Sequence, residues 1–302
     1  MSNLYDEIKA LKERKNAIIL AHYYVPDPVQ EIADYIGDSF YLSKKAKETQ
    51  ADIIVFAGVL FMGESAKMLT PGKKVLMPDR TADCSMAHMG TVESVAQVRA
   101  AYEDVAAVCY INSTTELKAA CDVCVTSSNA VQIVKKLPQH TIFFTPDRNL
   151  GHYVSTQVPE KEFILNQGCC PIHEDIEPAA AAAAKTAHPG AVFLVHPECR
   201  QDVLAMADYI GSTSGIIQYA AAAPARECII GTEEGVFHEL TMQNPDKKFY
   251  PVRPGQCCDN MKKITLEKVR DCLRDETNEV ILDETICRKA VRSLDRMLEL
   301  AK

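Results

Sequence analysis

Three of the twelve cysteines in this 302-residue chain recur at a nearly constant interval. Cys170 follows Cys84 by 86 residues, and Cys258 follows Cys170 by 88 residues. Three recurring thiolates, with no fourth at the same interval, suggest a metal centre with one open coordination position. Zinc with a histidine or water as its fourth ligand fits this set, and so does a 4Fe-4S cluster in which one iron has no cysteine ligand. The spacing alone does not choose between them.

The other cysteines carry weaker signals. Cys121 and Cys124 form the one local C-x-x-C pair, but Cys124 falls in the apolar run CVTSS, which predicts a buried strand and weakens a redox interpretation. Cys169 and Cys257 directly precede two of the recurring cysteines, and their role stays open. Because free cysteine is a good small core residue, we expect most of the other thiols in the core.

A base and a carboxylate stand side by side in His196-Pro197-Glu198, directly after an apolar run. Such a pair suits removal of a proton from a carbon next to a carbonyl group. Burial in a closed cavity is expected to raise the pKa of Glu198 toward a useful range. The alternative is a structural role in which Glu198 caps a following helix.

Further polar groups follow other apolar runs. His22-Tyr23-Tyr24 offers an imidazole and two phenols, although a purely structural histidine is the alternative. The hydroxyl-rich loops 126–129 and 211–215 stand where helices are predicted to begin. Such loops bind phosphate or carboxylate well, or simply cap the helix. Because the chain has no Walker motif and no G-x-G-x-x-G, nucleotide binding is disfavoured.

These residues must be positioned by alternating strands and helices. Short apolar runs that end in polar residues or glycine predict buried strands, with helical segments between them, which indicates parallel sheets flanked by helices. The predicted strands are 16–24, 51–58 and 73–79, then 104–113, 121–129 and 140–147, then 191–198, 209–215 and either 227–234 or 247–252.

Helix signals lie between and after these runs. Asp27 is predicted to be an N-cap with Pro28 at the first helical position, and Ser127 or Ser128 is predicted to cap a helix that runs to residue 137. Segments 197–209 and 214–224 have helical composition. Beyond residue 262 the chain is predicted to be helical over 265–276 and 283–302.

The order of strand, polar motif and helix repeats three times. His22, Tyr110 and His196 each follow the first strand of a unit, 88 and 86 residues apart. We therefore predict an α/β protein of three homologous three-layer α/β/α domains with parallel sheets about a pseudo-threefold axis. The predicted boundaries are 1–85, 86–171 and 172–258, and residues 259–302 form C-terminal helices that pack back on the domains.

Parallel sheets bind ligands at the carboxyl ends of their strands, so three such domains would share one cavity. One cysteine from the end of each unit could converge on the same place. The residues predicted to line the cavity are His22, Tyr24, Ser39, Tyr110, Asn112, Ser127, His196, Glu198 and Thr213.

Composition excludes several classes of protein. Hydrophobic residues make up 47% of the chain, which argues against disorder, and 33 basic against 41 acidic residues give a net charge of −8. An acidic chain without a basic block is a poor candidate for binding nucleic acid or a membrane surface. The longest apolar runs are too short to span a bilayer, and the charged N-terminus has no signal-peptide core, so we expect a cytoplasmic protein.

Motifs spread over the chain carry a family resemblance. In order, they are AHYYVPDPVQEIADYIGDSFYLS, FAGVLFMGESAKML, MPDRTADCSMA, YINSTTELKAACDVCVTSSNA, FTPDRNLG, GCCPIH, VHPEC, GSTSG and CDNMKKITLEKV. Read together, from about Ala21 to Val269, they resemble the quinolinate synthase family (quinolinate synthetase A family).

The resemblance implies a fold, a cofactor and a reaction. It implies three homologous α/β domains around a 4Fe-4S cluster, whose open iron acts as a Lewis acid. It implies a transferase-type condensation of iminoaspartate with dihydroxyacetone phosphate to quinolinate, with release of phosphate and water, in de novo NAD biosynthesis. The implied partners are these two small molecules and a transient enzyme that produces iminoaspartate, with no nucleic acid and no membrane.

The resemblance also implies roles for residues. The cluster ligands would be Cys84, Cys170 and Cys258, where His173 and the pair Met261-Lys262 set the register against the adjacent cysteines. Asp259 stands where the family often has proline. His22, Ser39, Ser127 and Thr213 would hold carboxylate and phosphate groups, and Tyr24, Tyr110, Asn112, His173, His196 and Glu198 would line the substrate, with Tyr24, Tyr110, His173, His196 and Glu198 moving protons.

Two other functions stay open at this point. One is a zinc-dependent hydrolase or lyase that uses the same three cysteines. The other is a non-enzymatic redox or metal-sensing protein built on Cys121 and Cys124.

Overall fold

The computed structural model describes residues 2–302. They form three four-stranded sheets in which every neighbouring pair of strands is parallel. Each sheet has the same strand order, in which the first and third strands of the unit are central and the second and fourth are at the edges. The predicted fold class, with three α/β/α units and C-terminal helices, is confirmed.

The elements of the first unit lie N-terminal to Cys84. Its strands are β1 (Ala17–His22), β2 (Tyr35–Gly37), β3 (Ile53–Ala57) and β4 (Lys74–Leu76), and its helices are α1 (Ser2–Arg14), α2 (Asp27–Ile32), α3 (Ser39–Glu48) and α4 (Leu60–Leu69). A short 3-10 helix, Ser85–His88, follows.

The second unit repeats this order. Its strands are β5 (Val105–Tyr110), β6 (Val123–Val125), β7 (Thr141–Thr145) and β8 (Glu162–Leu165), and its helices are α5 (Val92–Ala101), α6 (Thr115–Ala120), α7 (Ala130–Lys136) and α8 (Arg148–Gln157).

The third unit begins with two helices, and three more helices follow its sheet. Its strands are β9 (Val192–Val195), β10 (Tyr209–Ile210), β11 (Glu227–Gly231) and β12 (Lys248–Pro251). Its helices are α9 (Pro171–Glu174), α10 (Pro178–Ala187), α11 (Gln201–Leu204), α12 (Thr213–Ala222) and α13 (Val236–Gln243). The C-terminal helices are α14 (Asp259–Lys262), α15 (Leu266–Asp275) and α16 (Glu284–Leu300).

One side-chain hydrogen bond marks the repeat. In each unit an aspartate before the second strand accepts a hydrogen bond from the backbone N–H of a residue fifteen positions earlier, on the first strand. The pairs are Asp34 with Ile19 at 2.7 Å, Asp122 with Ala107 at 2.8 Å and Asp208 with Phe193 at 2.7 Å. The units are therefore equivalent down to individual contacts.

Edge strands account for the errors in the strand prediction. The sequence analysis missed β2 and β8, and it treated β11 and β12 as alternatives although both are strands. Residues of β2, β8 and β12 are largely half-buried or exposed. Edge strands of this kind lack the continuous apolar run that identifies a buried central strand.

Three helix predictions were also wrong in detail. Helix α2 begins at Asp27 after Pro26, so Asp27 is not the N-cap and Pro28 is the second helical residue. Helix α7 begins after Asn129 rather than Ser127 or Ser128, because the Asn129 Oδ1 accepts a hydrogen bond from the Thr126 N–H and forms a tight turn. Segment 197–209 contains only the short helix α11, since a turn carrying Glu198 precedes it.

The buried hydrophobic side chains form one large cluster and two smaller ones. Buried side chains of the first two units and of the C-terminal helices form one continuous hydrophobic cluster. The third unit has two clusters of its own, one on each face of its sheet. Helix α15 packs on α1 and β3, and α16 packs on α4, α6 and β6. Within residues 2–302 no helix combines the length and the hydropathy that a membrane crossing requires.

Candidate active site and metal centre

The carboxyl ends of the three sheets face one cavity with about 700 Å³ of space not occupied by protein atoms. Every residue named by the sequence analysis as ligand or site residue lies in its wall. They are His22, Tyr24, Ser39, Cys84, Tyr110, Asn112, Ser127, Cys170, His173, His196, Glu198, Thr213 and Cys258. The roles assigned to them stay predictions, whereas their common location is a feature of the structure.

The three recurring cysteines occupy equivalent places. Cys84, Cys170 and Cys258 each stand immediately before a single helical turn, at the N-cap position. In each unit the carbonyl two residues before the cysteine accepts a hydrogen bond from the chain that leaves the third strand. These bonds are Leu60 N–H to Ala82 O at 2.8 Å, Arg148 N–H to Gly168 O at 2.8 Å and Glu234 N–H to Gln256 O at 2.9 Å. Cys169 and Cys257 do not line the cavity.

The donor set suits a metal group larger than one ion. Within residues 2–302, the one set of three or more possible ligands whose donor atoms all lie within 4.8 Å of one another is Cys170, His173 and Glu198. The sulfurs of Cys84, Cys170 and Cys258 are therefore spread more widely than that. A tetrahedral zinc site with bonds of 2.3 Å would hold its sulfurs roughly 3.8 Å apart. A 4Fe-4S cluster binds each cysteine through a separate iron and needs the wider spacing.

An apolar side chain lies beside each of the three cysteines. Met86, Ile172 and Met261 follow the three cysteines closely and line the cavity beside them. Burial raises the pKa of the Cys84 thiol to about 12, and it raises the thiol pKa of Cys170 and Cys258 as well. Because metals bind the thiolate, loading of this site must release protons.

His22 and His196 occupy equivalent positions and share one hydrogen-bond pattern. The Nδ1 of His22 accepts from the Tyr24 N–H at 3.2 Å, and the Nδ1 of His196 accepts from the Glu198 N–H at 3.3 Å. Burial lowers the pKa of both imidazoles to about 3, so both are neutral at pH 7. With Nδ1 occupied as an acceptor, each ring carries its proton on Nε2 and is a hydrogen-bond donor toward neighbouring groups. For His196 that neighbour is the Ser127 hydroxyl, at 3.2 Å.

Glu198 is buried and ionised. Its Oε1 accepts a hydrogen bond from the Tyr110 hydroxyl, and its Oε2 lies 2.8 Å from the Nδ1 of His173. Burial alone would raise the pKa of Glu198, but the neighbouring His173 and His196 and the two hydrogen bonds outweigh it, so the pKa is lowered. The expectation of a raised pKa was therefore wrong. Glu198 is also not a helix cap, because Arg200 is the N-cap of α11.

A chain of hydrogen bonds extends from Glu198 to Tyr24. An ionised carboxylate only accepts, so the Nδ1 of His173 donates to Glu198, and the His173 Nε2 is hydrogen-bonded to the Thr232 hydroxyl at 2.9 Å. The Tyr24 hydroxyl in turn is hydrogen-bonded to the Thr232 hydroxyl at 2.8 Å and to the Thr213 hydroxyl at 2.7 Å. The sequence analysis missed Thr232, whose only signal was its place directly after a buried strand.

Groups that can hold anions come from all three units. Ser39 is the first residue of α3 and Thr213 is the first residue of α12, whose N-cap Ser212 accepts a hydrogen bond from the Gly215 N–H. Ser127 lies in the turn before α7. Among the described residues no lysine or arginine lines the cavity. Two ammonium groups bind backbone carbonyls close to the wall: the buried Lys118 donates to the Ser113 carbonyl at 2.8 Å, and the half-buried Lys262 donates to the Tyr24 carbonyl at 2.8 Å.

One polar atom in the wall has no partner in the protein. The Oδ1 of Asn112 is buried without a hydrogen bond, and Asn112 lines the cavity. Buried polar atoms are normally satisfied, so this acceptor suits a donor group on a bound ligand.

Comparison with known proteins agrees with the geometry. A family profile described as "Quinolinate synthetase A protein" matches residues 6–299. The chain belongs to the quinolinate synthetase A family. The quinolinate synthase of Alkaliphilus metalliredigens is 50% identical over 299 residues, 99% of each chain. That of Caldicellulosiruptor saccharolyticus is 52% identical over 295 residues, 98% of this chain and 97% of the relative.

A third member of the family shows similar coverage. The quinolinate synthase of Clostridioides difficile is 47% identical over 296 residues, 98% of this chain and 97% of the relative. The predicted family is therefore confirmed, and membership makes the chain an enzyme. It disfavours the non-enzymatic sensor built on Cys121 and Cys124, and Cys124 lies in the buried strand β6.

Proposed function

We propose that this chain is a quinolinate synthase that condenses iminoaspartate with dihydroxyacetone phosphate to quinolinate and releases phosphate and water, in de novo NAD biosynthesis. The observation that carries the proposal is the convergence of one cysteine from each unit on a cavity that also holds neutral histidines, two tyrosines and an ionised glutamate. Family membership supports the same conclusion.

We assign Cys84, Cys170 and Cys258 as ligands of a 4Fe-4S cluster. The wide spacing of their sulfurs and the apolar residues beside them support this assignment over mononuclear zinc. A bound cluster with one iron free of cysteine supplies a Lewis acid for a substrate hydroxyl or carboxylate.

The anionic substrates are held mainly by neutral donors. The Nε2–H groups of His22 and His196 and the hydroxyls of Ser39, Ser127 and Thr213 can donate to carboxylate and phosphate oxygens. In an acidic protein whose cavity wall has no lysine or arginine, such donors take the place of direct ion pairs. Asn112 accepts a hydrogen bond from a substrate donor through its unpaired Oδ1.

Proton handling belongs to Glu198 and the groups bonded to it. Glu198 is an ionised acceptor in the cavity wall, and its two oxygens orient Tyr110 and His173. His196 cannot take this role, because its Nδ1 is occupied and its Nε2 already carries a proton. Tyr110 is bonded to Glu198 directly, and Tyr24 is connected to it through Thr232 and His173. Both tyrosine hydroxyls therefore belong to one hydrogen-bond network with the Glu198 carboxylate.

The remaining assignments concern organisation. We propose that the units divide at 1–85, 86–171 and 172–258, supported by the confinement of each sheet to one range. We propose a cytoplasmic location, supported by twelve cysteines without a disulfide among the described residues. A transient enzyme partner that produces iminoaspartate completes the proposal, since an imine of this kind hydrolyses in water.

The test is an anaerobic assay of the purified protein with iminoaspartate and dihydroxyacetone phosphate. We expect quinolinate and inorganic phosphate in equal amounts, from protein that contains iron and acid-labile sulfide. Zinc without sulfide would instead support the hydrolase or lyase alternative. Iron and sulfide without quinolinate would contradict the proposed reaction but not the proposed cluster.

A further inference from the structure

The backbone N–H of each recurring cysteine points at a carboxylate. Cys84 donates to Asp83 Oδ1 at 2.7 Å, Cys170 donates to Asp147 Oδ2 at 3.0 Å and Cys258 donates to Glu233 Oε1 at 2.9 Å. Asp83 is the partly exposed neighbour of its own cysteine, with 38% of its side chain accessible. Asp147 and Glu233 reach from another part of the chain and are fully buried.

Asp147 and Glu233 occupy equivalent positions. Each is the second residue after the third strand of its unit, β7 or β11. In the first unit the same position, after β3, is Val59, which is buried and apolar. An acidic residue thus stands at this position in the second and third units, whose cysteines need an acceptor from another part of the chain. It is absent in the first unit, where the adjacent Asp83 accepts from the Cys84 N–H.

A capping role does not account for Asp147. Its Oδ1 caps α8 by accepting from the Leu150 N–H at 2.7 Å, which a serine or asparagine at this position could also do. Its second oxygen is the one that meets the Cys170 N–H. Only a carboxylate side chain offers two acceptor oxygens at once.

Glu233 likewise uses its two oxygens for two different backbone donors, and it also pairs with a lysine side chain. Its Oε2 accepts from the Gly235 N–H at 2.6 Å, and its Oε1 accepts from the Cys258 N–H and lies 2.9 Å from the Nζ of Lys262. Lys262 also donates to the Tyr24 carbonyl, so this carboxylate connects the third cysteine to the substrate side of the cavity.

Burying Asp147 is unfavourable in its surroundings, whereas Glu233 has Lys262 as an ion-pair partner. No lysine or arginine among the described residues pairs with Asp147, and the ionised Glu198 lies in the same region. An isolated buried carboxylate is strongly disfavoured unless hydrogen bonds compensate it. The arrangement therefore calls for a function beyond general stability.

We propose that Asp147 and Glu233 are positioning residues that hold Cys170 and Cys258 in place to bind the metal cluster. Each carboxylate fixes the peptide N–H of its cysteine and so the direction in which the thiolate projects into the cavity. This inference rests on the proposed cluster but not on the proposed reaction. Groups in this outer position typically contribute roughly 10- to 100-fold to metal affinity.

Asp147→Ser separates the two roles of the side chain. Serine keeps the cap on α8 but is too short to reach the Cys170 N–H as well. Asp147→Asn keeps the size but places an N–H₂ group against one of the two backbone donors. Glu233→Gln makes the corresponding change in the third unit. The controls are Asp122→Asn and Asp208→Asn, in which an aspartate that accepts a backbone N–H at the amino end of a strand is changed.

The measurements are iron release to a chelator from anaerobic holoenzyme, the EPR spectrum of the reduced cluster and the thermal midpoint. We expect roughly 10-fold or faster iron release and an altered EPR spectrum in Asp147→Ser and Glu233→Gln, with a cooperative thermal transition that shows both variants to be folded. Both controls should release iron at the wild-type rate.

Two results would overturn the inference. Iron release and EPR spectra equal to wild type in Asp147→Ser and Glu233→Gln would make the two carboxylates helix caps only. Equally fast iron release in Asp122→Asn and Asp208→Asn would show that any loss of a backbone acceptor loosens the cluster. Wild-type protein without iron or sulfide would instead refute the proposed cluster on which the inference depends.

Discussion

Glu198 is a carboxylate buried among three other titratable side chains, Tyr110, His173 and His196. Its pKa is lowered, so it is ionised and accepts hydrogen bonds rather than donating one. Its two oxygens are both committed, one to a phenol and one to an imidazole. The charge of Glu198 therefore fixes the orientation of Tyr110 and His173 and also allows Glu198 to accept a proton.

Glu198→Gln should therefore lower turnover without removing the metal. Glutamine keeps the shape, but it cannot take a proton and cannot accept from both Tyr110 and His173. We expect kcat to fall by about 10²- to 10⁴-fold, the range for loss of a general base, with wild-type iron content. Steady-state assays on anaerobic protein measure this.

The matched control for Glu198 is Glu162→Gln. Glu162 begins β8, at the end of the sheet opposite the cavity, and its side chain is 72% accessible, so activity should not change. A fall of less than about threefold in Glu198→Gln, with iron intact, would show that Glu198 is not the essential base.

The cysteines can be sorted by single substitutions. Cys84→Ala, Cys170→Ala and Cys258→Ala should each lose iron, sulfide and activity, because each removes a ligand that no other thiol in the cavity wall replaces. Cys121→Ala and Cys124→Ala should retain iron and activity. Metal and sulfide analysis of anaerobic protein gives the result.

The adjacent cysteines test the register. Cys169→Ala and Cys257→Ala should keep their iron, because neither residue lines the cavity. Loss of iron in Cys257→Ala together with full iron in Cys258→Ala would shift the third ligand by one residue.

At the scale of the element, α15 ends in a charged contact that connects distant segments. Glu276, its C-cap, has a left-handed backbone with φ of 51° and accepts hydrogen bonds from Lys15 and Lys74. It thereby ties the helix to the end of α1 and to β4. These lysines lower the pKa of the Glu276 carboxyl to about 2.

A pH dependence follows from this contact. A carboxylate whose pKa is lowered by folding stabilises the protein above its unfolded pKa of about 4.3, and it loses that effect as pH falls toward about 2. Glu276→Gln should thus have a lower thermal midpoint than wild type at pH 7, and the difference should shrink between pH 4.5 and pH 3. High salt at pH 7 should also reduce the difference, since the site is solvent-accessible. A difference independent of pH would assign the effect to the backbone conformation instead.

Sequence patterns predicted central elements better than edges. The central strands β1, β3, β5, β7, β9 and β11 are continuous apolar runs buried on both faces, so they were recognised. The edge strands β2 and β8 carry mixed sequences because one side faces solvent. Turns such as Thr126–Asn129 were misread because a side chain, rather than the helix signal, fixes the backbone there.

The site was predictable to a similar degree. Cys84, Cys170 and Cys258 were found because a repeat fixes their spacing, and His22 and His196 because each ends a central strand. Thr232, Asp147 and Glu233 follow central strands too, but hydroxyls and carboxylates at such places are common and nothing in their spacing marks a contact. The lowered pKa of Glu198 also needed the structure, since it depends on His173 from another segment.

At the scale of the whole molecule, one cavity is assembled from three units that meet only through folding. The first two units share a hydrophobic core with the C-terminal helices, whereas the third unit has its own. Because each unit contributes one cysteine, ligand geometry depends on how the units are held together. Helices α15 and α16 therefore help to maintain the proposed metal site, although no described residue of either helix lines the cavity.

Helix α16 is the element on which this argument can be tested. It packs across α4 of the first unit and α6 and β6 of the second, and its Leu294 and Met297 are fully buried. A chain that ends at Lys263 lacks α15 and α16 and would expose the apolar surfaces they cover, so we expect insoluble protein.

Leu294→Ala is the milder change, and it should lower the free energy of unfolding by about 2–5 kcal/mol. Urea unfolding of anaerobic protein measures this, with Arg292→Ala, an exposed position on the same helix, expected to stay within about 0.5 kcal/mol of wild type. A soluble, active protein ending at Lys263 would show that the first two units hold together without these helices.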